Sequence, residues 1–350
     1  MGGMTHVRYV VLIVASMLLS HAVAAQEAAG VGTAQLRYTV AFYNVEDLFD
    51  TSDDPNTADE DMLPLSDRGW NEERYRAKLR SLARVIADMG GENGFPVLIG
   101  VAEVENRAVL EALAAEPAIA SAGYAVCHAD SPDVRGIDVA FLYRAGLFRL
   151  EGFRSVKAEC GYPPTRDFAV VEGRIGDDRF CVVAVHWPSR RGGGRSEAQR
   201  RACAGQVRRM ADSVRRADPS VKVIVMGDMN DGPRDRSVAR DLGARRRVGG
   251  DTTGFYNPFA SKRRAGRGSY RYDGRWNMLD QIVVSPNLVR SGDACGGLCL
   301  CRIGDGRALG EVFRRDWMLR RGSPFATYRG SDYEGGVSDH LPVYVVLGRW

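Results

Sequence analysis

The chain has 350 residues, 45% of them hydrophobic and 26% charged, with a formal net charge of +4. That composition excludes a disordered chain and suits one large or two smaller globular domains. No long acidic or basic tail is present, so net charge by itself names no partner. Among 48 basic residues only Lys78, Lys157, Lys222 and Lys262 are lysine. Arginine suits bidentate contact with phosphate, and a coding bias would produce the same imbalance.

Residues 1–25 carry His6 and Arg8, an apolar run over 9–19 and then Ala22-Val23-Ala24-Ala25, the pattern of a cleaved secretory signal. The run is short for a membrane span, and no cysteine follows it as a lipid attachment site would need. An exported protein is expected, periplasmic or extracellular, without stable membrane insertion and with no protein partner predicted. Seven cysteines in such a chain imply disulfides, with at least one thiol left over. Cys295, Cys299 and Cys301 lack the paired C-x-x-C of a zinc site and read as a local disulfide.

Residues 36–43 form an aromatic and β-branched strand that ends in Asn44-Val45-Glu46-Asp47. The loop over 53–61 is rich in Pro and Asp but lacks EF-hand spacing, which favours a solvated loop over calcium. Asn71 caps a helix whose stripe is Tyr75, Leu79, Leu82, Ile86 and Met89, with Gly90 after it. A strand over 97–101 ends near Glu103 and precedes a second helix reaching about residue 116. Strands over 124–127, 138–143, 148–156, 168–174 and 180–185 follow, and their short connections suggest antiparallel pairing. The last delivers His186, Trp187 and a Gly-rich loop, and a helix over 196–216 then leads into residues 222–231, Lys-Val-Ile-Val-Met-Gly-Asp-Met-Asn-Asp.

That stretch is a buried strand by its β-branching and short length, and it carries a polar tip. Asp228 and Asn230 lie two apart and face the same way. Residues 261–276 add Lys262, Arg263, Arg264, Arg267, Arg271 and Arg275 to Tyr270, Tyr272 and Trp276. This mixture suits either a grip on phosphates and bases or an exposed hairpin with aromatics turned inward. Asp280 opens a strand over 282–285, and Ser338-Asp339-His340 precedes a terminal strand over 343–347. With no internal repeat and no interior linker, residues 36–350 read as one domain with mixed sheets. Singly, each polar strand end is an ordinary turn or cap; together they form a coherent set.

In order along the chain, FYNVEDLFD, GVAEVEN, TRDFAVVEG, VVAVHWPSRRGG, VIVMGDMND, WNMLDQIVV and GVSDHLPV resemble the endonuclease/exonuclease/phosphatase superfamily, the deoxyribonuclease I-like group. The resemblance covers almost the whole mature chain. It implies a four-layer α/β/β/α sandwich of two mixed sheets flanked by helices, with the site at one edge. It further implies Glu103 as the main metal ligand beside Asn44 and Asp339, for magnesium or manganese, with calcium a third candidate. Asp228 and Asn230 would orient the attacking water and hold phosphate oxygens, Asp280 would buttress His340, and His186 would stand across the scissile phosphate. Arg166 and Arg190 would contact substrate phosphate, though a structural salt bridge is an equal reading of Arg166. Histidine at position 186 leans away from the abasic-site repair branch, and Met278-Leu279-Asp280-Gln281 departs from the inositol phosphatase pattern. The expected activity is metal-dependent phosphodiester hydrolysis, foremost of DNA or RNA outside the cytoplasm. Alternatives are a lipid phosphodiesterase, a small-molecule phosphatase or a non-catalytic phosphate-ligand binder.

Overall fold

The computed structural model describes residues 36–247, 253–261, 268–289, 297–303 and 309–349. The leader expected over 1–25, the basic residues Lys262, Arg263, Arg264 and Arg267, and Cys295 lie outside that set. In chain order the framework is β1 (Arg37–Leu48), α1 (Glu72–Gly90), β2 (Leu98–Val104), α2 (Arg107–Ala114), β3 (Tyr124–Cys127) and β4 (Asp138–Arg144). There follow β5 (Arg149–Val156), β6 (Phe168–Ile175), β7 (Asp178–His186), α3 (Gly193–Ala217), β8 (Lys222–Asp228), β9 (Asp280–Val284) and β10 (Val343–Gly348).

One sheet has the order β10-β1-β2-β4-β3 and the other β5-β6-β7-β8-β9, each extended by short strands. Within this framework β1 pairs β2 and β7 pairs β8 in parallel, while the remaining pairs are antiparallel. Both sheets are therefore mixed. Strand alternation sorts the side chains between layers. Val40 and Phe42 of β1 face the core between the sheets, with Ile224, Met226 and Ile282, whereas Ala41 and Tyr43 face Leu82, Val85 and Leu110 of α1 and α2. On the outer face of the second sheet, Val183, Val223 and Val225 pack against Cys203 and Val207 of α3. The result is the expected four-layer α/β/β/α sandwich.

Local chemistry sets the element ends. The side chains of Asn71 and Asn106 accept the backbone N–H of Arg74 and Val109 at 3.1 and 3.0 Å, capping α1 and α2. At position 227 only glycine fits, because a Cβ there would lie 2.1 Å from the Val185 carbonyl oxygen. The chain over 270–277 is indeed a hairpin, Tyr270–Tyr272 paired with Arg275–Asn277. Its Trp276 packs against the α1 and α2 layer, while Tyr272 points outward at 69% exposure. The hairpin reading therefore holds, with one aromatic turned inward and one turned outward.

Strand register collects the polar tips at one edge. Asn44 is level with Ala102, one residue before Glu103; His186 is level with Asp228, and Asp228 with Asp280. Phe42 is level with Val343, so the Asp339-His340 segment enters β10 from the same edge.

Candidate active site

Asp228 is the hub of this edge. Its Oδ2 receives the Asn44 amide N–H at 3.2 Å and lies 3.6 Å from His186 Nε2 and 3.7 Å from His340 Nε2. Its Oδ1 accepts the backbone N–H of Asn230 at 2.9 Å, which holds the carboxylate's orientation. Asn44 also donates to Glu103 Oε1 at 3.1 Å, and that oxygen lies 3.7 Å from His186 Nε2. Two histidines, two carboxylates and an amide thus converge from both sheets.

The two imidazoles are held in opposite states. Burial pushes the His186 pKa well below its ordinary value, and the positive charges of Arg166, Arg135 and His340 push it further. Burial would also lower His340, but the carboxylates of Asp280, Asp339 and Asp228 outweigh it and raise that pKa well above the usual range. His340 Nδ1 meets Asp280 Oδ2 at 2.7 Å, as expected of a buttress. Asp280 is itself placed by its backbone N–H, which donates to Ser269 Oγ at 3.1 Å, while Tyr270 stacks on the His340 ring with centroids 4.7 Å apart. The third histidine among the described residues, His128, bonds Asp138 through Nε2 at 3.0 Å and takes no part in these contacts.

Carboxylate crowding marks where a cation fits. Burial, followed by repulsion from Glu103, raises Asp47 to about 6. Desolvation and the charge of Asp280 raise Asp228 to about 6 as well. Asp339 is raised well above its ordinary value by desolvation in the cleft, against the pull of His340 and with repulsion from Glu46, Glu103 and Asp47. A divalent ion among these oxygens would relieve that repulsion, and hard oxygen donors suit magnesium, manganese or calcium alike. Glu103, Asp339 and Asn44 supply such donors, and Asp47 joins them through its backbone N–H on Glu103 Oε2 at 3.2 Å. A further compact set, Asp228, Asp280 and His340, has its ligand atoms within 4.8 Å of one another. The short Asp280–His340 hydrogen bond suits it to proton handling rather than ligation.

Other expected residues are placed differently. Of the two roles open to Arg166, the structure holds the salt bridge: its guanidinium is buried, 3.0 Å from Asp133 Oδ2 and donating to the Trp187 carbonyl at 3.0 Å. It stands behind His186 as a supporting charge. Arg190 is half exposed but held by the Asn230 carbonyl at 2.8 Å, Asp231 at 3.2 Å and Asp235. Asn230 donates its amide to the Trp187 carbonyl at 2.9 Å, so its nitrogen braces the β7 and β8 loops.

Sequence reasoning missed Lys78, Ser338 and the role of Asp47. Lys78 is buried and donates to the Glu46 and Val337 carbonyls at 3.0 and 2.6 Å, tying two site loops together. Ser338 Oγ donates to the Asn44 carbonyl at 2.8 Å and accepts the His340 N–H at 3.0 Å. A legible signal existed for Lys78, which sits three residues after Tyr75 and four before Leu82 on the apolar stripe of α1. The cysteines divide: Cys160 and Cys203 form a disulfide and Cys299 is disulfide-bonded, whereas Cys127, Cys181 and Cys301 are buried thiols.

A model of the Endonuclease/Exonuclease/phosphatase family matches residues 39–349. A search of curated proteins by sequence finds no match. Among solved structures, a family protein from Bacteroides thetaiotaomicron is similar with a TM-score of 0.57 at 15% identity, covering 90% of this chain and 98% of that one. The mannosyl-6-phosphatase of Bacteroides thetaiotaomicron VPI-5482 is similar with a TM-score of 0.54 at 16% identity, covering 89% and 99%. D. rerio TDP2 complexed with a single-strand DNA product has a TM-score of 0.54 at 15% identity, covering 89% and 99%. Likeness at these identities shows the shared fold.

Proposed function

This chain belongs to the endonuclease/exonuclease/phosphatase family, whose members are metal-dependent phosphoesterases, and from that premise we propose that it is a phosphodiester hydrolase acting on DNA or RNA outside the cytoplasm. The observation that carries the reading is the convergence of His186 and His340, from different sheets, on Asp228 Oδ2 at 3.6 and 3.7 Å. Displacement at phosphorus needs a proton acceptor for the attacking water and stabilisation of the leaving oxygen on the far side. His186, kept neutral, can accept a proton; His340, kept charged, can donate one. Asp228 lies between them, where it orients the water. The ion at Glu103, Asn44 and Asp339 would supply positive charge for the phosphoryl oxygens, with magnesium the first candidate.

Export is supported by the leader pattern and by the Cys160–Cys203 disulfide, which persists in an oxidising compartment. No described helix is long and apolar enough to cross a membrane. A small-molecule phosphatase is the second reading, favoured by the similar fold of the mannosyl-6-phosphatase. The test is single-turnover hydrolysis at saturating magnesium, comparing single-stranded DNA, duplex DNA, RNA, sphingomyelin and mannose 6-phosphate. A polynucleotide should lead the panel. His186→Ala and His340→Ala should each lower its rate by roughly two orders of magnitude or more, and the double variant should lose much less than their product. A phosphomonoester at the head of the panel, or a folded His340→Ala variant at wild-type rate, would reject the assignment.

A further inference from the structure

The Tyr270–Tyr272/Arg275–Asn277 hairpin stands directly beside His340. Alternation divides it into two faces. Arg271 and Trp276 are cross-strand partners on one face, and that face is tied to the protein body. Trp276 packs on the α1 and α2 layer beneath the guanidinium groups of Arg271 and Arg314, and Arg271 donates to the Gly322 carbonyl at 2.6 Å.

The opposite face carries the pairs Tyr270 with Asn277 and Tyr272 with Arg275. Its inner end is part of the site, because Tyr270 stacks on the His340 ring at 4.7 Å and its phenol feels the charges of Asp339, Arg191 and Asp228. The outer end lies two residues further along the strand, about 7 Å away. There Tyr272 is 69% exposed and Arg275 is exposed, with no ion-pair partner among the described residues. Arg191, exposed on the loop after His186, is likewise without one. The base of the hairpin is firm, since the Ser269 carbonyl accepts the Leu341 N–H at 2.7 Å and Ser269 Oγ accepts that of Asp280 at 3.1 Å.

We propose that Tyr272 and Arg275 form a subsite for an unpaired nucleotide next to the scissile phosphate, the base stacking on Tyr272 and its phosphate meeting Arg275. This rests on the nucleic-acid reading given above. An aromatic plane and a free guanidinium on one rigid face, continuous with the catalytic histidine, match the alternation of base and phosphate along a single strand. Paired bases in a duplex present no free face to the ring, so single strands are the substrate class this subsite selects.

The test uses the full mature protein and a fluorescein-labelled thymidine 12-mer. Anisotropy is measured in EDTA, and cleavage is measured with magnesium beside hydrolysis of bis(4-nitrophenyl) phosphate. Tyr272→Ala and Arg275→Ala should each weaken oligonucleotide binding about tenfold, and Tyr272→Phe should retain it. The loss of kcat/KM on the oligonucleotide should exceed that on the small diester at least fivefold, chiefly through KM. A wild-type protein that binds and cleaves the 12-mer, with both alanine variants unchanged, overturns the subsite and leaves the nuclease reading standing. Wild type that hydrolyses the small diester but neither binds nor cleaves the 12-mer overturns the nuclease reading, and the subsite with it.

Discussion

Asp280→Asn isolates the step on which the site's proton chemistry turns. The carboxylate lies 2.7 Å from His340 Nδ1, is fully buried, and is the first carboxylate to counter the effect of burial on that imidazole. A hydrogen bond to a charged partner contributes about 1.5–3 kcal/mol, and its loss should bring the His340 pKa down toward its ordinary value. Asparagine keeps the volume and the backbone bond to Ser269, and the variant should fold. If the new amide donates to Nδ1, that nitrogen cannot carry a proton, so the ring is held neutral with its proton on Nε2 and is no longer the charged donor. Single-turnover hydrolysis should fall by about 10²-fold or more. The pH sign follows from the direction of the shift. Because the folded pKa of His340 is raised, its stabilisation is fully present below about pH 6.5 and is lost as pH rises through the folded value. The stability gap between wild type and variant should therefore be widest in mild acid and close toward alkaline pH. Single-turnover rates and an NMR titration of His340 in metal-free protein test this together. A folded variant with unaltered His340 titration and near wild-type rate would refute the argument. A slowed variant with unaltered titration would move the role of Asp280 to Asp228, whose pKa it also raises.

Glu103→Gln should fold yet weaken magnesium binding at least tenfold by calorimetry, and unchanged affinity would remove Glu103 from the metal site. In metal-free protein Asp47 and Asp228 are raised to about 6, so each favours the folded state when protonated, and stability should decline as pH rises from about 4 to about 6. His340 extends the decline above about pH 6.5, whereas depressed His186 opposes it only below that value. Magnesium should consequently raise the melting temperature more at about pH 7.5 than at about pH 5.5, and an equal rise at both would disprove carboxylate relief as its source. Arg166→Ala leaves the buried Asp133 with only the more exposed Arg135, 3.5 Å away, which should destabilise the fold by about 1.5–3 kcal/mol in urea unfolding; a loss confined to substrate KM would restore its role as a phosphate contact. Thiol titration of denatured, unreduced protein should find the three buried thiols Cys127, Cys181 and Cys301, and seven reactive thiols would argue against oxidation.

What could be read beforehand follows from distance along the chain. Apolar runs with polar ends, the Asn caps and the stripe of α1 are local patterns, and the structure reproduces each to within a few residues. The strand-end set was legible because register in a sandwich carries such ends to one edge, as His186, Asp228 and Asp280 confirm. Arg166 was ambiguous because its partner, Asp133, lies 33 residues earlier on a loop with no pattern of its own. Half of the 261–276 stretch was undecidable for a similar reason. Alternation says that two faces exist, but only the packing of Trp276 on a distant layer says which one is inward.

Backbone conformation adds what composition could not show. Glu46, Asp47, Glu103 and Asn230 have φ of +54°, +50°, +65° and +49°, in the left-handed region that glycine enters without strain. Non-glycine residues held there cost of order 1–3 kcal/mol each, a substantial fraction of a domain's net stability. Glycine would remove the strain at each bend but also the side chain. At Glu103 and Asp47 that would delete the crowded oxygens that suit a cation; at Asn230 it would delete the brace to Trp187. At Glu103 the bend goes with a side chain that shares the Asn44 amide with Asp228, and at Glu46 with one that accepts the Thr327 N–H. Strain at this edge is thus a consequence of building one polar cluster from strands whose other residues must all remain in the core.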